Sequence, residues 1–367
     1  MHNVDKFPSR TSLRRSAVLG TFAVATLALA GCNSSGSSTE ESTAAGSATN
    51  SAEQKIHIAA STSIWGDVAQ AVADTAQGVE IEIEPIVVGN SIDPHDFEPS
   101  AAQIARAEEA DIVVVGGGGY DSWLYRAMSD QDKIVTALPL VEHSHGGDDH
   151  DHADEAHADE HSDEHSHESE AAHASEEAHA DEHADDHGDE HLHGEVEAID
   201  GNEHIWYNPQ AINVVAEEIA EHINELAPQA NATADEVEAK VEALDKRLHA
   251  LPAAHYAQTE TLADYIMAHS EMTDMTPAKY RAALLNHGEP AAADLAAFLE
   301  VIRSGQIDLL VHNPQTETDL TDRIREAAED ENIAVVEIGE TPPAGTNFFD
   351  YYDKAVDDLE AALSASK

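Results

Sequence analysis

His95 and His204 are the residues whose type and setting are best suited to chemistry. His95 lies in Asp-Pro-His-Asp-Phe-Glu-Pro-Ser, Asp93 to Ser100. A strand-like run precedes this loop, and a helix opened by Pro99 and Ser100 follows it. His204 lies in Asn-Glu-His-Ile-Trp-Tyr-Asn-Pro, Asn202 to Pro209, just ahead of a helix that Pro209 opens. A single loop histidine is usually only solvated. Two of them, each flanked by acid and proline before a helix, occupy the kind of junction where open α/β sheets bind ligands.

A third feature is a tract rather than a residue. Between 141 and 194 the chain carries 20 Asp and Glu and 14 His: His143, His145, His150, His152, His157, His161, His165, His167, His173, His179, His183, His187, His191 and His193. It has almost no large apolar side chains, so it is expected to be disordered. Imidazole, with an ordinary pKa of ~6.5, is largely neutral and ligating near pH 7. Many imidazoles on one tract make several weak, exchanging sites that suit Zn²⁺, Cu²⁺ or Ni²⁺ over Mn²⁺. Capturing metal for the chain, sensing it and merely buffering it remain open as roles.

Composition and missing motifs narrow the classes. The 367 residues carry a formal net charge of −55, which excludes a nucleic-acid binder that needs a basic face. One cysteine excludes a disulfide framework. Gly116–Gly119 follows a strand-like run, but no Gly-Lys-Ser/Thr or Gly-x-Gly-x-x-Gly pattern accompanies it, so it reads as a turn. Gly-x-Ser-x-Gly, His-Glu-x-x-His and a catalytic cysteine context are all missing, and the chain does not read as an enzyme.

The N-terminus reads as an address. Arg10, Arg14 and Arg15 precede the apolar run Ala17–Ala30, which is too short to span a ~30 Å hydrocarbon core. Leu29-Ala30-Gly31-Cys32 resembles a bacterial lipobox, so residues 1–31 are expected to be a lipoprotein signal peptide and Cys32 the lipid attachment site. Residues 32–54, rich in Ser, Thr, Ala and Gly, read as a flexible tether.

The elements that must position the two histidines follow from periodicity. Strands are expected near Lys55, over Val79–Val88, Asp111–Val115 and Ile134–Leu138, with helices over Trp65–Ala76 and Pro99–Ala110. After the insert come helices over Pro209–Leu226 and Asp235–Ala250, the latter with apolar Val237, Val241, Leu244 and Leu248. A second series has helices near Leu262–His269, over Ala291–Arg303, Thr318–Asp330 and Phe349–Leu363, and strands over Asp308–Val311 and Ala334–Ile338. Alternating strands and helices give an α/β fold of two small doubly wound lobes. The expected division is an N-terminal lobe over 55–228 interrupted by the insert, a long rigid linking helix within 229–250, and a C-terminal lobe over 251–367.

The order of these motifs resembles a family. Asp-Pro-His-Asp-Phe-Glu-Pro-Ser, an acidic His-rich insert and Glu-His-Ile-Trp-Tyr-Asn-Pro are followed by Val-His-Asn-Pro-Gln-Thr (Val311–Thr316) and Glu-Thr-Pro-Pro-Ala-Gly-Thr (Glu340–Thr346). Together they look like the zinc/manganese-type solute-binding lipoproteins of ABC importers, over roughly 55–367. The resemblance implies one metal in a cleft between the lobes, held by four ligands. These fall on His95, His204, Glu260 and Glu340, with His312 near the site as an outer partner. The third ligand is His in many zinc members and Glu in many manganese members, so Glu260 leaves Zn²⁺ and Mn²⁺ both open. The implied protein is a monomeric receptor, lipid-anchored on the outer face of the cytoplasmic membrane. It would hand Zn²⁺, with Mn²⁺ as the alternative, to an ABC permease powered by a separate ATPase. A manganese or iron receptor of the same fold, a surface metal buffer or metallochaperone, and a metallohydrolase are the rival readings.

Overall fold

The structure, a computed structural model, describes residues 54–92, 94, 97–141 and 196–365. His95, Cys32 and the histidines of the insert therefore lie outside the described residues. The first half contains β1 (Lys55–Thr62), α1 (Ser63–Ala73), β2 (Glu80–Val87), α2 (Ala101–Glu109), β3 (Ile112–Val115), α3 (Ser122–Tyr125) and β4 (Ile134–Thr136). After the insert come α4 (Pro209–Leu226) and α5 (Asp235–Leu248). The second half contains β5 (His255–Gln258), α6 (Asp264–Ala268), β6 (Thr273–Asp274), α7 (Ala278–Leu285) and α8 (Ala292–Arg303). It ends with β7 (Leu309–His312), α9 (Asp319–Asp330), β8 (Ala334–Glu337) and α10 (Phe348–Ala365).

Two sheets form, and both are parallel. Their orders are β2-β1-β3-β4 and β6-β5-β7-β8, one topology used twice. Every residue of β3 (Ile-Val-Val-Val) and of β7 (Leu-Leu-Val-His) is buried, as parallel strands covered on both faces require. The same side-chain device begins the central pairing in each sheet. Asp111 accepts from the His57 amide at 2.8 Å, and Asp308 accepts from the His255 amide at 2.8 Å. The two-lobed doubly wound α/β fold expected from the sequence is thus present.

Local chemistry starts the helices that matter for the site. Ser100 caps α2 through a reciprocal capping box with Gln103. Asn208 accepts from the Gln210 and Ala211 amides, and Pro209 fits the first turn of α4, where no donor is needed. One buried apolar face of α4 runs from Ala211 through Ile212, Val215 and Ile219 to Ile223.

The helix within 229–250 is α5, Asp235–Leu248, with Val237, Val241, Leu244 and Leu248 buried. Helix α5 has 14 residues, about 21 Å at 1.5 Å per residue, and is shorter than α4 and α10 with 18 each. It packs against α1, α4 and α10, and α10 in turn packs against β8 and α1. Asp67 of α1 accepts from the Phe348 amide at 2.7 Å where α10 begins. No single helix of outstanding length stands between the two sheets among the described residues.

Candidate metal centre

The site forms where strands end. Glu260 is two residues beyond β5, Asn313 follows β7 directly, and Glu340 is three residues beyond β8. Strands β5 and β7 are neighbours from which the chain runs outward in opposite directions, the switch point at which parallel sheets leave a crevice at their carboxyl ends. From the first half, the Gly116–Gly119 turn after β3 delivers Tyr120, and the segment before α4 delivers His204.

Three of the four residues implied as ligands come together. One donor atom each from His204, Glu260 and Glu340 lies within 4.8 Å of the others. His204 and Glu340 are buried and Glu260 is half-buried. His204 Nε2 is 3.8 Å from Glu260 Oε1.

The histidine ring is held in one tautomer. Asn202 Nδ2 donates to the Thr261 carbonyl at 2.6 Å and to Asp264 Oδ2 at 2.8 Å, which fixes which end of the amide is nitrogen. Asn202 Oδ1 then faces His204 Nδ1 at 2.8 Å and accepts its proton. The lone pair is left on Nε2, the nitrogen directed toward Glu260. Asp264 is held by Gln258 Nε2 at 2.6 Å and by Arg281 at 2.7 Å. A polar chain from Arg281 to Asp264 to Asn202 thus orients the ring, as outer partners of ligating histidines do.

The carboxylates are positioned as firmly. Thr316 Oγ1 donates to Glu260 Oε2 at 2.6 Å, and Asn313 Nδ2 donates to the same oxygen and to Glu340 Oε1 at 3.3 Å. Tyr120 donates to Glu340 Oε2 at 2.9 Å. Burial, reinforced by the Glu340 charge, holds the Tyr120 phenol well above its ordinary pKa, so it stays a donor. Two carboxylates this close repel one another, and a divalent cation between them and the His204 lone pair would relieve that repulsion. One nitrogen and two carboxylate oxygens form a donor set that both Zn²⁺ and Mn²⁺ accept. A cavity of about 710 Å³ adjoins the cluster, with Asn202, His204, Glu260, Thr316 and His287 in its wall.

His312 does not join the cluster. Its ring is buried, with Nδ1 3.4 Å from Thr259 Oγ1 and Nε2 3.7 Å from Glu317 Oε1. Burial, with Arg325 nearby, pushes its pKa down, so it is a neutral packed histidine. Its neighbour Asn313 makes the contact with both carboxylates. Asn202, Asn313, Thr316 and Tyr120 are the residues hydrogen-bonded to the cluster that sequence reasoning missed. The first three lie inside or at the edge of motifs singled out for their histidines or order, so the signal was one of position rather than residue type.

Known proteins resemble the chain in sequence and fold. The family described as zinc-uptake complex component A periplasmic matches residues 58–362. The zinc-binding lipoprotein AdcA of Streptococcus pneumoniae is 32% identical over 98 residues, 24% of this chain and 18% of that protein. The manganese-binding lipoprotein MntA of Halalkalibacterium halodurans is 35% identical over 103 residues, 26% of this chain and 32% of that protein. The matched stretches thus span a third or less of these curated relatives. Among solved structures, ZnuA aligns with a TM-score of 0.52 at 16% identity, covering 86% of this chain and 100% of that one. FpvC of Pseudomonas aeruginosa in complex with Mn²⁺ aligns with a TM-score of 0.55 at 15% identity, covering 85% and 99%. These structures share the fold. With the family match running through both sheets and every clustered residue, the chain belongs to the zinc-uptake complex component A (ZnuA) family, whose members are metal-binding solute receptors rather than enzymes.

Proposed function

We propose that this chain is a zinc-preferring extracytoplasmic receptor that binds one cation with His204, Glu260, Glu340 and His95, and delivers it to an ABC permease driven by a separate ATPase. The observation that carries the reading is the convergence of His204, Glu260 and Glu340 within 4.8 Å, with the imidazole lone pair turned inward by Asn202. His95 is proposed as the fourth ligand because its loop joins β2 to α2 in the same half as His204. The family membership and the relatives named for zinc and for manganese support a divalent cation as cargo.

Zinc is preferred on the strength of the insert, whose 14 histidines suit borderline cations. The paired carboxylates favour the second reading, a manganese receptor of the same build. Anchoring through Cys32 and a monomeric state belong to the same proposal.

Competition between Zn²⁺ and Mn²⁺ tests it, using the chain from Cys32 onward with and without 141–194. One tight zinc equivalent that survives the deletion and resists manganese is the expected result. Preferential manganese retention would make the chain a manganese receptor. Loss of all tight binding with the insert would make it a buffer.

A further inference from the structure

A second set of metal-ligating side chains lies apart from the cleft. Asp245, in the last turn of α5, and His249, at the C-cap of that helix, are four residues apart and share a helix face. His269 is the C-cap of α6 and reaches the same point from the second half. One carboxylate oxygen, Asp245 Oδ1, is 2.6 Å from His269 Nδ1 and 3.3 Å from His249 Nδ1. The rings stand edge to face, with centroids 5.7 Å apart. All three donor atoms fall within 4.8 Å of one another, and no residue is shared with the cleft cluster.

We propose that Asp245, His249 and His269 form an auxiliary, solvent-open site for Zn²⁺ or a similar borderline divalent cation. Two imidazoles and a carboxylate are the donor set such ions prefer over Mn²⁺ or Mg²⁺. Three protein ligands leave a fourth position for water, because His249 is exposed and Asp245 and His269 are only half-buried. Each neutral ring can present Nδ1 to the ion by carrying its proton on Nε2 instead. Zinc ligands sit ~2.0–2.2 Å from the ion, so the cluster needs only a small outward shift of the two rings to admit one. A second feature favours a cation there. The C-termini of α5 and α6 converge on the cluster, and their last carbonyls present partial negative charge. A bare surface hydrogen bond would need only one of the two rings. His249 Nδ1 also lies 2.9 Å from the Asp245 main-chain carbonyl, a contact that the ring would give up to an ion, and the two rings reach one carboxylate from elements on either side of β5. Such an ion would tie the end of α5 to the second half of the chain.

Histidine C2-proton exchange, read by mass spectrometry on the whole chain from Cys32 onward, tests this with ZnCl₂ as the only added ligand. The exchange passes through the protonated ring, so metal coordination slows it residue by residue. His249 and His269 are expected to slow together as zinc is added, while His222 and His255, outside the cluster, keep their rates. H249A should raise the zinc concentration that half-protects His269 on the order of 10–100-fold, since losing a ligand costs at least as much as losing an outer partner. D245N should do the same, and both variants should leave protection of His204 unchanged. That last readout reports the cleft separately, so failure there would not be mistaken for failure here. The proposal is overturned if zinc that saturates the rest of the chain leaves His249 and His269 exchanging freely. It is equally overturned if His269 keeps its full protection in H249A and D245N.

Discussion

Tyr120 and Glu340, 220 residues apart, meet through a hydrogen bond of 2.9 Å from the phenol to Glu340 Oε2. The bond joins the turn after β3 of one sheet to the segment after β8 of the other. It also fixes one carboxylate oxygen of Glu340, while Asn313 Nδ2 donates to the other. Removing the hydroxyl in Y120F keeps the ring, which packs 4.7 Å from Trp206 between centroids. Zinc affinity should fall about 10–100-fold, the usual cost of a lost outer partner, and Tm should fall too, because the buried Glu340 carboxylate loses a donor. A chelator-competition titration of the tight component, beside a thermal melt, checks both halves of that statement.

Asn202 carries a heavier structural load. Its amide bridges His204 Nδ1, the Thr261 carbonyl and Asp264. N202A would leave a buried N–H on the ring and an under-satisfied carboxylate, costing about 1–3 kcal/mol of stability. It would also free the His204 ring to rotate or change tautomer. Both the melting temperature and the zinc affinity should fall. An N202A protein with native zinc affinity would show that the ring does not need this partner.

Glu260 is the residue that should set metal preference. E260H would turn the described donors from one nitrogen and two oxygens into two nitrogens and one oxygen. Imidazole suits Zn²⁺ better than Mn²⁺, so the ratio of zinc to manganese affinity should rise. Thr316 and Asn313 now donate to the carboxylate and would lose that acceptor, so absolute affinity need not improve. The ratio measured by direct competition is therefore the informative quantity, and a fall in it would remove Glu260 from the ligand set.

Much of this was legible in the sequence because the signals were local. Helix α4 begins and ends where Pro209 and the apolar stripe say it should, and the β-branched runs of β3 and β8 read directly as strands. Strand β5, His-Tyr-Ala-Gln, was not legible. Its strand character comes from parallel pairing with β6 and β7, a tertiary effect that overrides weak intrinsic preference. The two-residue β6 and the helix α7 were missed for similar reasons. Pro277 and Ala278–Leu285 carry little periodicity, and α7 is fixed by packing such as Tyr280 against Phe298. At the site, the histidine and glutamate positions came through motif order. The asparagines did not, because a polar partner is recognised only once the chain folds and shows what it faces.

The Gly116–Gly119 turn is explained by space and backbone conformation rather than by phosphate binding. Gly117 has φ of +80°, and a Cβ there would lie 2.1 Å from the Leu138 carbonyl oxygen and 2.3 Å from Thr136 Oγ1. Gly78 also has a positive φ, +67°, but a Cβ there would meet nothing within 4 Å. G78A should therefore cost only the backbone penalty of about 1–2 kcal/mol. G117A should cost distinctly more, because a backbone carbonyl cannot move aside as a flexible side chain does. Unfolding free energies of the two variants measure the difference, and equal values would show that the turn tolerates a side chain.

Asp121 supplies a pH signature for the same turn. Its buried carboxyl accepts from Ser61 Oγ at 2.7 Å, the Gly116 amide at 2.6 Å and the Gly117 amide at 3.1 Å. Those bonds favour the ionised form, but burial outweighs them and pushes the pKa up from 3.8 to about 6. Between those values the folded chain binds the proton more tightly than the unfolded chain. The contribution of Asp121 is then fully present below pH 3.8, is lost as pH rises toward about 6, and is flat beyond. D121N removes this dependence, since its amide does not titrate. The loss of wild-type stability relative to D121N should amount to on the order of 3 kcal/mol across the window. Denaturant unfolding of both proteins between roughly pH 3.5 and 7.5 gives the difference directly. His312, whose lowered pKa acts in the opposite direction as pH falls, is present in both proteins and cancels. A difference that is constant with pH would mean that the hydrogen bonds balance burial, and one that rises through the window would mean that they win and that Asp121 stays ionised in the fold to lower pH than in the unfolded chain.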